Sequence, residues 1–454
     1  MIILVNPMYS IYQNLNADSF YIFTKLLITQ LTKKYKDFYF LYIFPDEKSG
    51  FVYQDDGFFD NPNVIVIKKR MVKRKLDNVL DFPFVFWRNF FDNFTPDIIW
   101  SHSVETSHFF YNFVQSFEEG IRFKIINQHH YVLHHTLPYP EVYMLPAQFQ
   151  QTACFLVDMN IFNSHYCYKM MVENMKKYLN DETIAKMKYK IIHFALLDPD
   201  YYPKPQPADL KKIKIIYNHR LSDYKNYQIT FKLLNELWKK YQNFEVFVTN
   251  PNAENFSKIS HYPFVRGISC ANHKDYLEIL KTCHLNITNS QHETFCISAL
   301  ESLAMGQILV APNGITFPEL TYPNYPFLFN SLAEQREILE KIFSNPKIIE
   351  QYREEIYKKT WEKFYYEIMV QEYYNLFTQL EKEYRLGNFK KSVFKVLNYI
   401  KTLKGFKSLK ELSTIFKRFN LGQQAFPLIK IKKLLNSLGY KDYFHNSVQG
   451  IFFE

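Results

Sequence analysis

Residues 289–314 read Asn289-Ser-Gln-His-Glu-Thr-Phe-Cys-Ile-Ser-Ala-Leu-Glu-Ser-Leu-Ala-Met-Gly-Gln-Ile-Leu-Val-Ala-Pro-Asn-Gly314. An apolar run, Leu285–Thr288, ends just before this stretch, a loop carries Glu293, helical periodicity runs from about Cys296 to Met305, and Gly306 stops it before the apolar run Ile308–Ala311. Strand, loop, helix and strand in that order form the repeating unit of a parallel α/β sheet. Glu293 and Glu301 are separated by seven residues, one ahead of the helix and one about a turn and a half inside it, so both carboxylates can face one ligand. The N–H groups around Thr294, Phe295, Cys296 and Ile297 then point at its anionic part. Acceptors for hydroxyls beside donors for a diphosphate suit a sugar nucleotide, whereas the same two glutamates alone would fit any solvated helix face.

The same alternation extends in both directions. Upstream lie the strand-like runs Ile2–Asn6, Phe38–Phe44, Val64–Ile67, Asp97–Ser101, Phe123–Asn127, Asn160–Asn163 and Ile191–Phe194, with a helix near Asp18–Tyr35. Four prolines in residues 198–207 then mark an extended linker. A second series follows: Lys214–Asn218, a helix near Gln228–Tyr241, Glu245–Thr249, Phe264–Gly267, a helix at Lys274–Thr282, and the stretch quoted above, with helical sequence from Asn345 to Tyr384. The expected class is α/β, with Rossmann-like domains at 1–204 and 205–385 facing a cleft and a small C-terminal helical module at 386–454. Ligands of such sheets bind beyond the carboxyl ends of the strands.

The stretch 289–314 resembles the retaining GT-B glycosyltransferases of family 4. Residues 272–290, from Asn272-His-Lys-Asp to Thr288-Asn-Ser, look like that family's helix and strand leading into the loop, and Tyr217-Asn-His-Arg-Leu-Ser-Asp-Tyr-Lys-Asn226 matches its Arg and Lys after the first strand of the second domain. By resemblance Arg220 and Lys225 would hold the diphosphate of a UDP- or GDP-sugar, Glu293 the sugar hydroxyls and Glu301 the ribose. The chain departs from the family at Thr294 and Cys296, where glycine is usual. The resemblance also implies retention of configuration, with the leaving phosphate accepting the acceptor's proton and with no metal. A His after a first-domain strand commonly contacts the donor sugar in the family, which makes His129 or His130, in Asn127-Gln-His-His-Tyr, the candidate. The four histidines of 129–135 lack further ligands at zinc spacing.

Composition adds compartment and partner. Five cysteines without a CxxC pair fit a reducing, cytoplasmic setting, and neither a signal peptide nor a membrane-spanning run is visible. The formal charge is +10 over 454 residues, and residues 381–454 hold 15 Lys+Arg against 5 Asp+Glu, which leaves 1–380 neutral. Three helical segments and a hairpin around His445–Ser447 resemble a winged helix, whose third helix would offer Lys430, Lys432 and Lys433 to nucleic acid. A packed basic extension or a protein-binding module would have the same composition. Patches including Asn127-Gln-His-His-Tyr, Leu137-Pro-Tyr-Pro and Phe317-Pro-Glu-Leu resemble enzymes that mannosylate queuosine in tRNA. A hydroxymethylated base in DNA, as in phage genomes, is the first expected acceptor and RNA the second. A surface glycan or lipid is the third, and a non-catalytic nucleic-acid-binding protein is the alternative from another class.

Overall fold

The computed structural model describes residues 1–8, 15, 18–71, 83–91, 96–115, 123–133, 144–196, 202–205, 207, 209–249, 253–270, 273–382, 405–408, 442–445 and 448–453. The first sheet holds β1 (Ile2–Asn6), β2 (Tyr39–Pro45), β3 (Val64–Lys69), β4 (Ile98–Ser101), β5 (Lys124–His129), β6 (Met159–Phe162) and β7 (Tyr189–Ile191). Its order is β3-β2-β1-β4-β5-β6-β7, with parallel pairing throughout. The helices between are α1 (Ser19–Lys34), α2 (Phe84–Phe91), α3 (Ser107–Gln115), α4 (Met144–Leu156), α5 (His165–Met175) and the short α6 (Asp181–Ile184). Asp18 starts α1 by accepting N–H bonds from Phe20 and Tyr21 at 2.9 and 3.0 Å. Every residue of β1 is buried, as a strand covered on both faces requires.

The second sheet holds β8 (Ile213–Tyr217), β9 (Phe244–Thr249), β10 (Val265–Ile268), β11 (Leu285–Ile287), β12 (Ile308–Pro312) and β13 (Leu328–Phe329) in the order β10-β9-β8-β11-β12-β13, again parallel. Around it lie α7 (Tyr227–Tyr241), α8 (Ala253–Phe256), α9 (His273–Lys281), α10 (Ile297–Ala304), α11 (Phe317–Leu320), α12 (Leu332–Ser344) and α13 (Lys347–Phe364). The expected pair of Rossmann-like sheets is therefore present, and the strand order reverses between β1 and β4 and between β8 and β11. Gly306 ends α10 at φ +73°, where a Cβ would meet the Arg353 carbonyl oxygen at 2.8 Å.

The chain crosses between the sheets twice. The first crossing ends the run to Leu196, the second passes through Tyr365, and these two residues form a parallel bridge in which the Leu196 N–H donates to the Phe364 carbonyl at 3.1 Å. The last helix of this part, α14 (Tyr366–Lys382), packs back on the first sheet. Tyr374 stacks on Tyr35 with centroids 3.8 Å apart, Tyr373 lies 5.4 Å from Trp100, and its hydroxyl donates to Gln128. The division at 204/205 assigns this helix to the second unit by sequence, while its side chains belong to the core of the first.

Near the end of the chain, β14 (Gly405–Ser408), β15 (Asp442–His445) and β16 (Val448–Phe453) form an antiparallel sheet in the order β14-β16-β15. The hairpin read around His445–Ser447 is β15 with β16. The helices of a winged-helix module, with Lys430, Lys432 and Lys433, lie outside the described residues. Among the described residues no helix is long and apolar enough to cross a membrane.

Candidate active site

The loops after β8 and β11 flank the point where the second sheet reverses its strand order, and side-chain and backbone hydrogen bonds pin them together. Asn226 donates to the Asn289 carbonyl at 3.1 Å, Thr230 donates to Asn289 Oδ1 at 2.8 Å, and the Gln291 N–H reaches the Tyr224 carbonyl at 2.9 Å. Asn289 is held from its other side by Gln335 at 2.8 Å. Asn226, at φ +50°, turns the chain directly after Lys225. The result is an ion pair between Lys225 Nζ and Glu293 Oε1, with side chains only 8% and 14% exposed.

Burial works against the Lys225 charge, but the Glu293 carboxylate outweighs it and the amine is held above its ordinary range. Beside it, burial and then the Lys225 charge push His219 down to about 3, and burial and then Glu293 push the Cys296 thiol up. His219 and Cys296 are therefore neutral at pH 7, and Lys225 carries the positive charge. Arg220 is exposed on the same loop. At the start of α10, Cys296 is the N-cap without a side-chain cap bond, and the first helical bond runs from Leu300 to the Cys296 carbonyl at 3.0 Å. The first-turn N–H groups, beginning at Ile297, have no acceptor within the helix.

Glu301 is buried and held by three donors. Its Oε1 accepts from His273 Nε2 at 2.8 Å and from the Tyr202 hydroxyl at 3.1 Å, and its Oε2 accepts from the Tyr276 hydroxyl at 2.9 Å. Tyr202 lies in the linker, so this carboxylate ties the linker to the second unit.

Thr294 turns toward the first unit. Its hydroxyl donates to the His130 carbonyl at 2.6 Å, Asn163 donates to it at 3.3 Å, and Ser164 donates to its carbonyl. Phe295 packs edge-on against Phe194 at 5.2 Å. A second link lies at Glu319 of α11, which accepts the N–H groups of His165 and Tyr166 at the start of α5, both at 2.7 Å, and His193 Nε2 at 3.2 Å. Burial opposes the Glu319 charge, but His193 and the two N–H donors hold its carboxyl below the usual range.

The two adjacent histidines separate, as alternation at a strand end requires. His129 is fully buried, stacked 4.3 Å from Phe162 and 3.1 Å from Asn160 Oδ1, and burial holds it down at about 4. His130 is the one whose backbone meets the loop carrying Glu293. Thr294, Glu319, Tyr202, His273 and Tyr276 were not singled out from the sequence as groups joining the two units or as partners of Glu301. Their partners lie 25 to 164 residues away along the chain, so no local pattern marks them.

Among the described residues, two sets of possible metal donors have their donor atoms within 4.8 Å of one another, His165 with His193 and Glu319, and His219 with Glu293 and Cys296. In each set the carboxylate is already engaged, by the α5 N–H groups in one and by Lys225 in the other.

Residues 200–359 match the family described as Glycosyl transferases group 1. A tRNA-queuosine alpha-mannosyltransferase of Drosophila melanogaster is 22% identical over 252 residues, covering 50% of this chain and 66% of that protein. Among solved structures, sucrose-phosphate synthase from Thermosynechococcus elongatus superposes with a TM-score of 0.65 at 12% identity, covering 84% of this chain and 99% of that one. HepE of Anabaena in complex with UDP-glucose gives 0.56 at 15% identity, over 84% and 100%. The fold is that of the GT-B glycosyltransferases, and the family match over residues 200–359, which include Lys225 and Glu293, supports a glycosyltransferase.

Proposed function

We propose that this protein transfers a sugar, with retention of configuration, from a nucleotide sugar to a hydroxyl of a nucleic acid. The observation that carries the reading is the buried Lys225–Glu293 pair at the reversal point of the second sheet, beside the N-terminus of α10. In this reading Lys225 and the first-turn N–H groups of α10 receive the diphosphate, and Arg220 joins them from the same loop. Glu293, released from Lys225 as the phosphate takes its place, accepts from the sugar hydroxyls. Glu301 accepts from the ribose alongside Tyr276 and His273. Charge developing on the leaving diphosphate is met by groups already in place, which is the form of stabilisation that costs least reorganisation. Proton transfer from the acceptor to that phosphate needs no separate base and no metal. HepE was solved with UDP-glucose, which supports a UDP-sugar among the donors to test first.

The acceptor is the finer part of the proposal. The excess of basic residues in 381–454 favours a polyanion, and the tRNA-queuosine relative favours the hydroxyls of a modified base in tRNA. A hydroxymethylated base in DNA is the second reading, supported by the basic segment. Incubation with mixed UDP- and GDP-sugars, bulk tRNA and hydroxymethylated DNA, followed by mass spectrometry of nucleosides, tests both. A hexose or pentose mass on one nucleoside names the acceptor. Hydrolysis of a sugar nucleotide without transfer to either polymer leaves the glycosyltransferase and removes the nucleic acid.

A further inference from the structure

His102 follows β4 and His130 follows β5, neighbouring strands of the first sheet. Their rings lie nearly coplanar and edge to edge, with centroids 4.9 Å apart and 21° between planes, and His102 Nδ1 lies 2.7 Å from His130 Nε2. Phe20, Phe23 and Phe194 surround the His130 ring, while Trp100 and Phe23 flank His102. His102 is completely buried and His130 is 8% exposed.

A hydrogen bond between two ring nitrogens needs one proton between them. The other nitrogen of His102, Nε2, is buried with no hydrogen-bond partner among the described residues. A proton there would leave an orphaned N–H in the core, at the full desolvation cost of that group. A proton on Nδ1 satisfies the contact with His130 and leaves only a lone pair dry.

We infer that His102 is a positioning residue fixed as the Nδ1–H tautomer, which donates to His130 Nε2 and holds His130 neutral with its one proton on Nδ1. Protonating His130 would drive the His102 proton onto Nε2, in the dry interior. Burial, followed by the neighbouring His130, also holds His102 well below its ordinary range. Among the described residues, the ionisable groups on the surrounding elements are already engaged elsewhere: Glu105 with the Tyr131 hydroxyl at 2.7 Å, Asp18 with the first N–H groups of α1, Lys25 with Asp56, His129 with Asn160 and His193 with Glu319, while Tyr373 packs beyond Trp100. The functional half of the inference rests on the cleft being the donor site: His130, tied by its carbonyl to Thr294, serves as a neutral hydrogen-bond donor to a ligand oxygen and not as a general acid.

Nitrogen-15 NMR of histidine-labelled protein between pH 5.5 and 8.5 tests the tautomer without any assay of turnover, with His102→Asn identifying the signals. Two neutral rings, each protonated at Nδ1 and neither titrating, are expected. A proton on His102 Nε2, or a His130 that titrates near its ordinary value of about 6.5, overturns the inference. In kinetics, His102→Leu should raise KM for the nucleotide sugar about tenfold, the loss of roughly one well-made hydrogen bond, and add an acid limb near pH 6.5. His102→Asn, which retains a donor at the Nδ1 position, should restore both. A Leu variant indistinguishable from wild type sinks the functional half, while absence of any transfer sinks the donor-site reading and leaves the NMR result standing.

Discussion

Lys225 is a nearly buried cation whose charge is held by one carboxylate, and the consequences can be worked out residue by residue. Replacing it with Met removes a charge-assisted hydrogen bond to the diphosphate worth about 1.5–3 kcal/mol, so kcat/KM for the nucleotide sugar should fall by roughly 10- to 150-fold. The same change strands Glu293 without its cation. Because the folded-state value of Lys225 is raised, its contribution to stability is complete below its unfolded value of 10.5 and fades as pH rises through the folded one. Denaturant midpoints measured from about pH 10 upward should drop more steeply for wild type than for Lys225→Met. Glu293→Gln tests the mechanism: turnover that is lost but regained with azide, giving an inverted product, would mean a covalent nucleophile and not a positioning residue.

At the scale of elements, most of the fold was legible because buried parallel strands are short apolar runs. Ile2–Asn6 was read with the bounds the structure gives β1, and Asp18 was placed at the start of α1, where it is the cap. The loop of Glu293 was legible for the same reason, as a break between two such runs with a helix stop at Gly306. That stop is testable: Gly306→Ala puts a Cβ at a positive φ and 2.8 Å from the Arg353 carbonyl oxygen, and should cost more than about 1 kcal/mol in a denaturation curve. The links across the cleft were not legible. Thr294 reaches His130, and Glu319 reaches the start of α5, through contacts that only the closed arrangement of two sheets creates. The Glu319 carboxyl is held low, so its contribution is present above its unfolded value of 4.5 and is lost as pH falls through the folded one. Glu319→Gln should therefore flatten the loss of stability between about pH 5 and 3.5 seen in wild type. Small-angle scattering at pH 7 should show a more open molecule when Glu319→Ala is combined with Thr294→Val, and an unchanged radius would dismiss both as links that hold the cleft closed.

For the whole molecule, charge separates two tasks. The neutral 1–380 contains both sheets and the Lys225–Glu293 site, and the basic 381–454 contributes the entire surplus. If that segment neutralises about five phosphates, log K for nucleic acid falls with log[salt] at a slope of about −4.5. A chain ending at residue 385 should lose most of that slope yet still hydrolyse the sugar nucleotide. An unchanged slope would detach nucleic acid from the segment. Tyr373 and Tyr374 set the limit of such trimming, because they complete the first sheet from the far end of the chain. On the ribosome this inverts the usual order of assembly: the part made first waits, with Tyr35, Trp100 and Gln128 uncovered, while everything from β8 to α13 is synthesised and can finish folding. Nascent chains stalled before α14 emerges should bind chaperones through the first sheet, and the last turns of that helix, once released, close the older half.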